Sequence, residues 1–393
     1  MPPLAEGLAA RGQKVEQPLR WTILHVVGAR PNFVKVFALL DAMRIHPVFR
    51  SVLVHTGQHY DWGLSGALFA EMAIPQPDVH LGIGSGSHAE QTARIMLAFE
   101  PVVERCRPDL VLVVGDVNST LAAALVAAKR GVRIAHVEAG LRSFDRSMPE
   151  EINRVLTDQL ADFLFTHSPE AAAHLLREGI PQERIRFVGN VMIDALIRHL
   201  PQAQARRAWR RWGLAPKGYA LLTLHRPSNV DETDVLRQLL DAVVALEEIP
   251  VLFPVHPRTR IRLAATGLEA IVSRHPRLHL IEPLGYLDFL SLLGDCALVL
   301  TDSGGIQEES TYLGVPCLTL RERTERPVTV TQGTNVLVGV NRERILGAAR
   351  AVLAGQVKPG HVPELWDGQA AHRIVRILER ELIGQPAYAE AAP

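Results

Sequence analysis

Apolar residues along this chain fall into short continuous runs, each closed by glycine or a polar residue and followed by a stretch with helical spacing. The first run is Thr22 to Val27. Gly28 closes it, and Pro31 is placed to open a helix, where a missing N–H costs nothing. Val52 to His55 follows, then a helix near Leu64 to Met72 and a long one from about His88 to Cys106. Runs at Leu110 to Val114, Arg133 to Val137 and Phe163 to His167 alternate with helices after Asn118, Pro149 and Pro169. Strands apolar throughout, rather than at every second position, are buried on both faces, which predicts a parallel sheet covered by helices.

A second series begins at Tyr219 to Leu224 and continues through Val251 to Val255, Leu278 to Ile281, Leu298 to Thr301 and Pro316 to Leu320. Between the two series, Ile193 to Lys217 is helical and arginine-rich and ends in Gly213-Leu214-Ala215-Pro216, a natural boundary. The last helix, about Gln369 to Ile383, is compatible with either half. The expected fold is α/β, with two doubly wound domains whose strand carboxyl ends face a shared crevice, where ligands bind in this class. A length of 393 residues agrees, being more than one core usually supports.

Charge narrows the partners. Lys plus Arg and Asp plus Glu both number 42, so nothing marks a surface for nucleic acid or an anionic membrane. Cys106, Cys296 and Cys317 are far apart, which argues against a zinc site or a disulfide framework and fits the core of a protein in a reducing cytoplasm. No run reaches the ~20 apolar residues of a membrane span, and a cytoplasmic location is expected. There is no P-loop and no strand-linked G-x-G-x-x-G; Gly82-Ile83-Gly84-Ser85-Gly86 has the wrong spacing and reads as a flexible loop.

Candidate chemistry gathers at the strand ends. Gly115-Asp116 closes one strand, His136-Val137-Glu138-Ala139-Gly140-Leu141-Arg142 the next, and Met148-Pro149-Glu150-Glu151 opens the following helix. Each has a structural reading: Asp116 as a helix cap, Glu150 as a dipole partner and an i,i+4 mate of Arg154. Glu138 resists one, because a carboxylate buried on an apolar strand needs a partner or a task. Together Asp116, Glu138 and Glu150 would converge, and crowded carboxylates provide an acid and a base at neutral pH. In the second half, His225-Arg226 and His256-Pro257-Arg258 close successive strands and suggest an anion-binding wall. Thr301-Asp302-Ser303-Gly304-Gly305 leads into a helix whose free N–H groups suit a phosphate, with Glu308 or Glu309 one turn on, in reach of a ribose diol.

These motifs, with Gly28-Ala29-Arg30-Pro31 and Thr56-Gly57-Gln58-His59, occur in an order that closely resembles the non-hydrolysing UDP-N-acetylglucosamine 2-epimerases. The resemblance implies a glycosyltransferase-B-like fold, with a first domain over 21–205, a UDP-binding domain over 215–365 and a last segment, 366–385, crossing back to the first. It also implies a homodimer that interconverts UDP-GlcNAc and UDP-ManNAc by eliminating and re-adding UDP through 2-acetamidoglucal. By the same resemblance Asp116, Glu138 and Glu150 are the acid/base groups, and His225 assists the leaving UDP. Arg30 and Lys35 are then substrate-binding residues, Ser303 and Gly304 phosphate contacts and Glu309 a ribose contact; Arg142, Gly305 and, from the histidine pair at the crevice edge, His256 are further candidate substrate-binding residues. Neither metal nor nicotinamide is called for, since side chains carry the proton chemistry and N–H groups and basic residues the phosphate charge.

The chain departs from the family pattern in places. Tyr60-Asp61-Trp62 stands where members activated by a second UDP-GlcNAc carry a more basic, glutamine-rich stretch, and Val328 replaces a frequent glutamate. Four alternatives stay open from sequence: a 2-epimerase for UDP-2,3-diacetamido-2,3-dideoxyglucuronate, a hydrolysing epimerase, a glycosyltransferase of the same fold, and a nucleotide-sugar sensor.

Overall fold

Two parallel sheets organise the chain, seen in a computed structural model that describes residues 21–58, 71–72 and 74–382. The first sheet has seven strands in the order β3-β2-β1-β4-β5-β6-β7. They are β1 Trp21–Val27, β2 Phe49–His55, β3 Val79–His80, β4 Leu110–Val114, β5 Arg133–Val137, β6 Phe163–Thr166 and β7 Ile185–Phe187. The second has six, in the order β10-β9-β8-β11-β12-β13. These are β8 Ala220–Thr223, β9 Val251–Pro254, β10 Leu278–Ile281, β11 Leu298–Thr301, β12 Cys317–Thr319 and β13 Asn335–Leu337.

Both sheets are buried on both faces, for the reason the apolar runs suggest. In the first, Ile23, Leu53, Leu112 and Val114 belong to one core, while Leu24, Val54, Val111 and Val113 alternate into another. In the second, Leu222, Phe253 and Leu300 face one core and Leu221, Leu252 and Val299 the other, beside the buried thiols of Cys296 and Cys317. Expected strands end within a residue or two of the observed ones, except that β2 starts three residues early, at Phe49, because exposed Arg50 and half-buried Ser51 hide its first turn. The edge strands β3, β7 and β13 went unforeseen: two or three residues carry no periodic signal.

The helix Val191–Arg206 joins the halves and packs against both the first helix, Arg30–Arg44, and the helix Tyr286–Asp295 of the second half. The last helix, Ala370–Leu382, returns to the first half, placing Ile374, Val375, Leu378 and Leu382 in one core with Phe33, Leu39 and Met43. Asp194 receives the Ala370 and Ala371 N–H groups at 3.2 and 2.7 Å, capping that helix from the connecting one. The 82–86 loop is less free than its glycines suggest: Gln91 and Arg94 donate to the Gly84 and Ser85 carbonyls, both at 2.8 Å. No helix among the described residues is long and apolar enough to cross a membrane. The helix expected near Leu64 lies outside the described residues except for Glu71 and Met72, as does His59 to Trp62.

Candidate active site

Strand order reverses between β1 and β4 in the first sheet and between β8 and β11 in the second. Loops leaving such neighbours diverge and open a crevice at the strand carboxyl ends. Lys35 lies on the helix after β1, Asp116 follows β4 and Glu138 follows β5; His225 follows β8, and Asp302 and Ser303 follow β11.

Glu138 has φ +73°, a left-handed conformation that costs a non-glycine residue roughly 1–2 kcal/mol. Its own N–H and that of Ala139 both donate to the Phe165 carbonyl, at 3.0 and 3.1 Å, and hold it there. Strain kept by hydrogen bonds at a strand end is a mark of a working residue. Its side chain is buried, one oxygen taken by Lys35 and the other by Arg326 at 3.0 Å. Burial pushes its proton affinity up, but the two cations outweigh that and bring the pKa down to about 2. Gly115, at φ +71°, lets this cluster assemble: a Cβ there would lie 3.3 Å from both Asn32 Nδ2 and Glu138 Oε2.

Asp116 is half-buried and pairs with Arg154 at 2.5 Å. Arg154 bonds Glu151 at 3.0 Å, so the Glu150–Arg154 pair of the sequence reading does not form; the guanidinium turns inward instead, toward the buried acids. Glu151 also receives the Ser143 and Phe144 N–H groups, at 2.8 and 3.0 Å, and orders that loop. Glu150 is half-buried and makes no side-chain hydrogen bond or ion pair among the described residues, which leaves its carboxylate available.

In the second half, Asp302 is fully buried, bonds His225 Nδ1 at 2.8 Å and accepts the His225 and Arg226 N–H groups. Burial raises its proton affinity, but His225 and those two N–H groups hold its carboxyl below the usual range. This carboxylate–imidazole pair fixes the ring and leaves Nε2 without a partner among the described residues. His256 lies beside it, ring centroids 5.7 Å apart. The expected anion-binding wall loses its two arginines: Arg226 is drawn to Glu325 at 2.8 Å and Arg258 to Asp231, because each has a closer acid within its own half.

Ser303 precedes the helix Gly304–Leu313 without its side chain capping it, so the first N–H groups remain for an anion. A Cβ on Gly304 would meet Arg326 Nη1 at 2.2 Å, whereas one on Gly305 would make ordinary contact with Met192 at 3.4 Å. Gly304 is thus glycine for the sake of Arg326 as much as for any phosphate. Glu309 accepts from Tyr286 at 3.0 Å; burial lifts its pKa to about 7, the Tyr286 bond holding it back. Glu308 is fully buried and also lifted to about 7 by burial, with Arg326 opposing. Arg326 Nε is 3.1 Å from Glu308, within ion-pair distance but not aligned as a hydrogen bond.

The geometry brings Asp116, Glu138 and Lys35 to one side of the crevice and His225, His256, Ser303 and Gly304 to the other, with Arg326 reaching across. Arg142 does not join them: it is 2 % exposed and its guanidinium is engaged by Glu178, Asp158 and the Leu141 carbonyl, at 2.6 to 2.7 Å, so it braces the strand end from behind. Arg30 opens the first helix, and its side chain lies outside the described structure. Sequence reasoning missed Arg326 and the role of Asp302. The signal for Arg326 was there: Arg321 to Arg326 is a charged run directly after an apolar strand.

A family model described as UDP-N-acetylglucosamine 2-epimerase matches residues 41–379. The chain is 42 % identical over 359 residues to a UDP-N-acetylglucosamine 2-epimerase of Methanocaldococcus jannaschii, covering 90 % of this chain and 97 % of that one. It is 41 % identical over 364 residues to a UDP-2,3-diacetamido-2,3-dideoxy-D-glucuronate 2-epimerase of Pseudomonas aeruginosa, covering 91 % and 99 %. The crystal structure of the M. jannaschii enzyme in complex with UDP-GlcNAc and UDP superposes with a TM-score of 0.86 at 40 % identity, covering 91 % of this chain and 99 % of that one.

Proposed function

The chain belongs to the UDP-N-acetylglucosamine 2-epimerase family, with a glycosyltransferase-B-like fold, and from that premise we propose that it interconverts UDP-GlcNAc and UDP-ManNAc without net hydrolysis. A carboxylate removes the C2 proton, the C1–O bond to UDP breaks with its electron pair on the departing oxygen, and the C2 pair becomes the C1=C2 bond of 2-acetamidoglucal. Reprotonation of C2 on the other face and return of UDP to C1 gives the epimer. Asp116, Glu138 and Glu150 supply the proton transfers, and His225, held by Asp302, assists the leaving diphosphate at the N-terminus of the helix Gly304–Leu313. Glu309, joined to Tyr286, faces the ribose.

The observation that carries this reading is Glu138: a buried carboxylate in a strained conformation, contacted from both halves of the chain. A glycosyltransferase would need no base at C2. The test is Glu138→Gln: C2 proton exchange should fall by a factor of about 10²–10⁴ while UDP still binds. Loss of UDP binding with exchange intact would remove Glu138 from this role.

A second reading keeps the chemistry and changes the sugar, favoured by the near-equal identity to the Pseudomonas relative. Side-by-side rates with the two UDP-sugars decide it. The homodimer belongs to the same proposal, and sedimentation velocity checks it.

A further inference from the structure

Glu138 stands in a chemical conflict. A base needs proton affinity near the working pH, yet its two cations hold this carboxylate far below it. Lys35 and Glu138 belong to the same half of the chain, whereas Arg326 arrives from the other, on the loop after β12. Arg326 also lies against the phosphate turn: a Cβ on Gly304 would be 2.2 Å from its Nη1 and 2.6 Å from its Cζ. One guanidinium therefore touches both the turn that would receive a diphosphate and the carboxylate that would receive the C2 proton. Nη2 donates to Glu138 at 3.0 Å and Nη1 to Glu325 at 2.6 Å, while Nε makes no aligned hydrogen bond.

We infer that Arg326 is a positioning residue with two alternative partners, Glu138 and the diphosphate of a nucleotide sugar seated at Ser303 and Gly304. Drawn to the diphosphate, it releases Glu138, whose proton affinity rises once a substrate is in place. The same guanidinium is then beside the oxygen on which charge develops as UDP leaves. Among the described residues, Lys35, His167 and Glu308 are the other charged or titratable groups around Glu138; Glu308, Glu325, Asp116, Arg154, Arg321 and His167 surround Arg326. Neither neighbouring arginine replaces it, since Arg154 is tied to Asp116 and Glu151, and Arg321 to Glu325.

The inference rests on the epimerase reading for the sugar, but only on phosphate chemistry for the exchange of partners. Calorimetric titration of UDP into wild type, Glu138→Gln, Arg326→Gln and the double variant tests it. Glu138→Gln should tighten UDP binding about tenfold by removing the competing partner, Arg326→Gln should weaken it about tenfold or more, and Glu138→Gln should change little, less than about twofold, in the Arg326→Gln background. Arg326→Lys keeps the charge for folding but not the fork that reaches both partners, and there too Glu138→Gln should have little effect. Equal tightening in all backgrounds, or none in the wild type, overturns the inference. Conversion of UDP-GlcNAc by the wild type is followed in parallel. If it fails while the coupling is seen, the sugar assignment falls and the exchange of partners stands; if it succeeds without coupling, the reverse holds.

Discussion

At the scale of single residues, position relative to the crevice divides the candidates into two groups with different kinetic signatures. Asp116→Asn, Glu138→Gln and Glu150→Gln should lower kcat by a factor of about 10²–10⁴ without weakening UDP. Ser303→Ala and Glu309→Ala should weaken UDP binding by about 1.5–3 kcal/mol, the worth of a hydrogen bond to a charged group. Calorimetry beside turnover assays checks the division, and equal loss of affinity in both groups would refute it. Glu309 also makes a prediction about pH. Its folded pKa, near 7, lies above the unfolded value of 4.5, so its contribution is fully present below about pH 4.5 and is lost as pH rises through 7. The change is on the order of 3 kcal/mol, and Glu308 and Asp194, also raised by burial, act in the same direction. Glu138 and Asp302, depressed by their cations, matter only in more acid solution. Buried His25, His55, His167 and His199, lowered by desolvation, act the other way below about pH 6.5, where the unfolded chain binds their protons. The prediction is therefore a difference: relative to the wild type, Glu309→Gln should lose less stability as pH rises from 5 to 8, and an identical pH dependence of the two melting temperatures would show that Glu309 does not titrate there.

At the scale of elements, the phosphate turn offers a contrast between two neighbouring glycines. Gly304→Ala forces a Cβ into Arg326, whose guanidinium is pinned by three acids, and should cost about 1–3 kcal/mol as overpacking does. Gly305→Ala should be nearly neutral in stability, since its neighbour is the flexible end of Met192. Urea melts of the two variants decide, and a larger cost at Gly305 would contradict the account. Elements were legible in the sequence where burial wrote them: strands covered on both faces appear as unbroken apolar runs. They were illegible where pairing alone makes the strand, as at Val79–His80 and Asn335–Leu337, which sit at sheet edges and lack a pattern of their own. The long helix His88–Cys106 was legible to its ends, with Ser87 capping it through the Glu90 N–H at 3.2 Å.

At the scale of the whole molecule, the site exists because the chain crosses between its halves more than once. The last helix returns to pack on the helix that carries Lys35, and Asp194 caps it. Asp194→Ala should cost about 1–2 kcal/mol as a lost cap, read from the denaturation midpoint; no change would mean the cap is redundant. Strand ends told where the candidate residues would lie, and Asp116, Glu138, His225 and Ser303 stand there. What could not be read was how the halves meet. Arg326 pairs with Glu138 across 188 positions of sequence, and Arg142, in the same motif as Glu138, turns away to Asp158 and Glu178. Neither partner choice leaves a trace in local spacing, because each depends on which acid the folded chain brings closest.

Proton NMR of the purified protein with UDP-GlcNAc in deuterated water reads the exchange at C2 directly. UDP-ManNAc should appear carrying deuterium at C2, with UDP-GlcNAc deuterated at the same position as the reaction reverses. Persistence of the C2 proton through conversion, or free ManNAc and UDP as the end products, would contradict the proposed reaction.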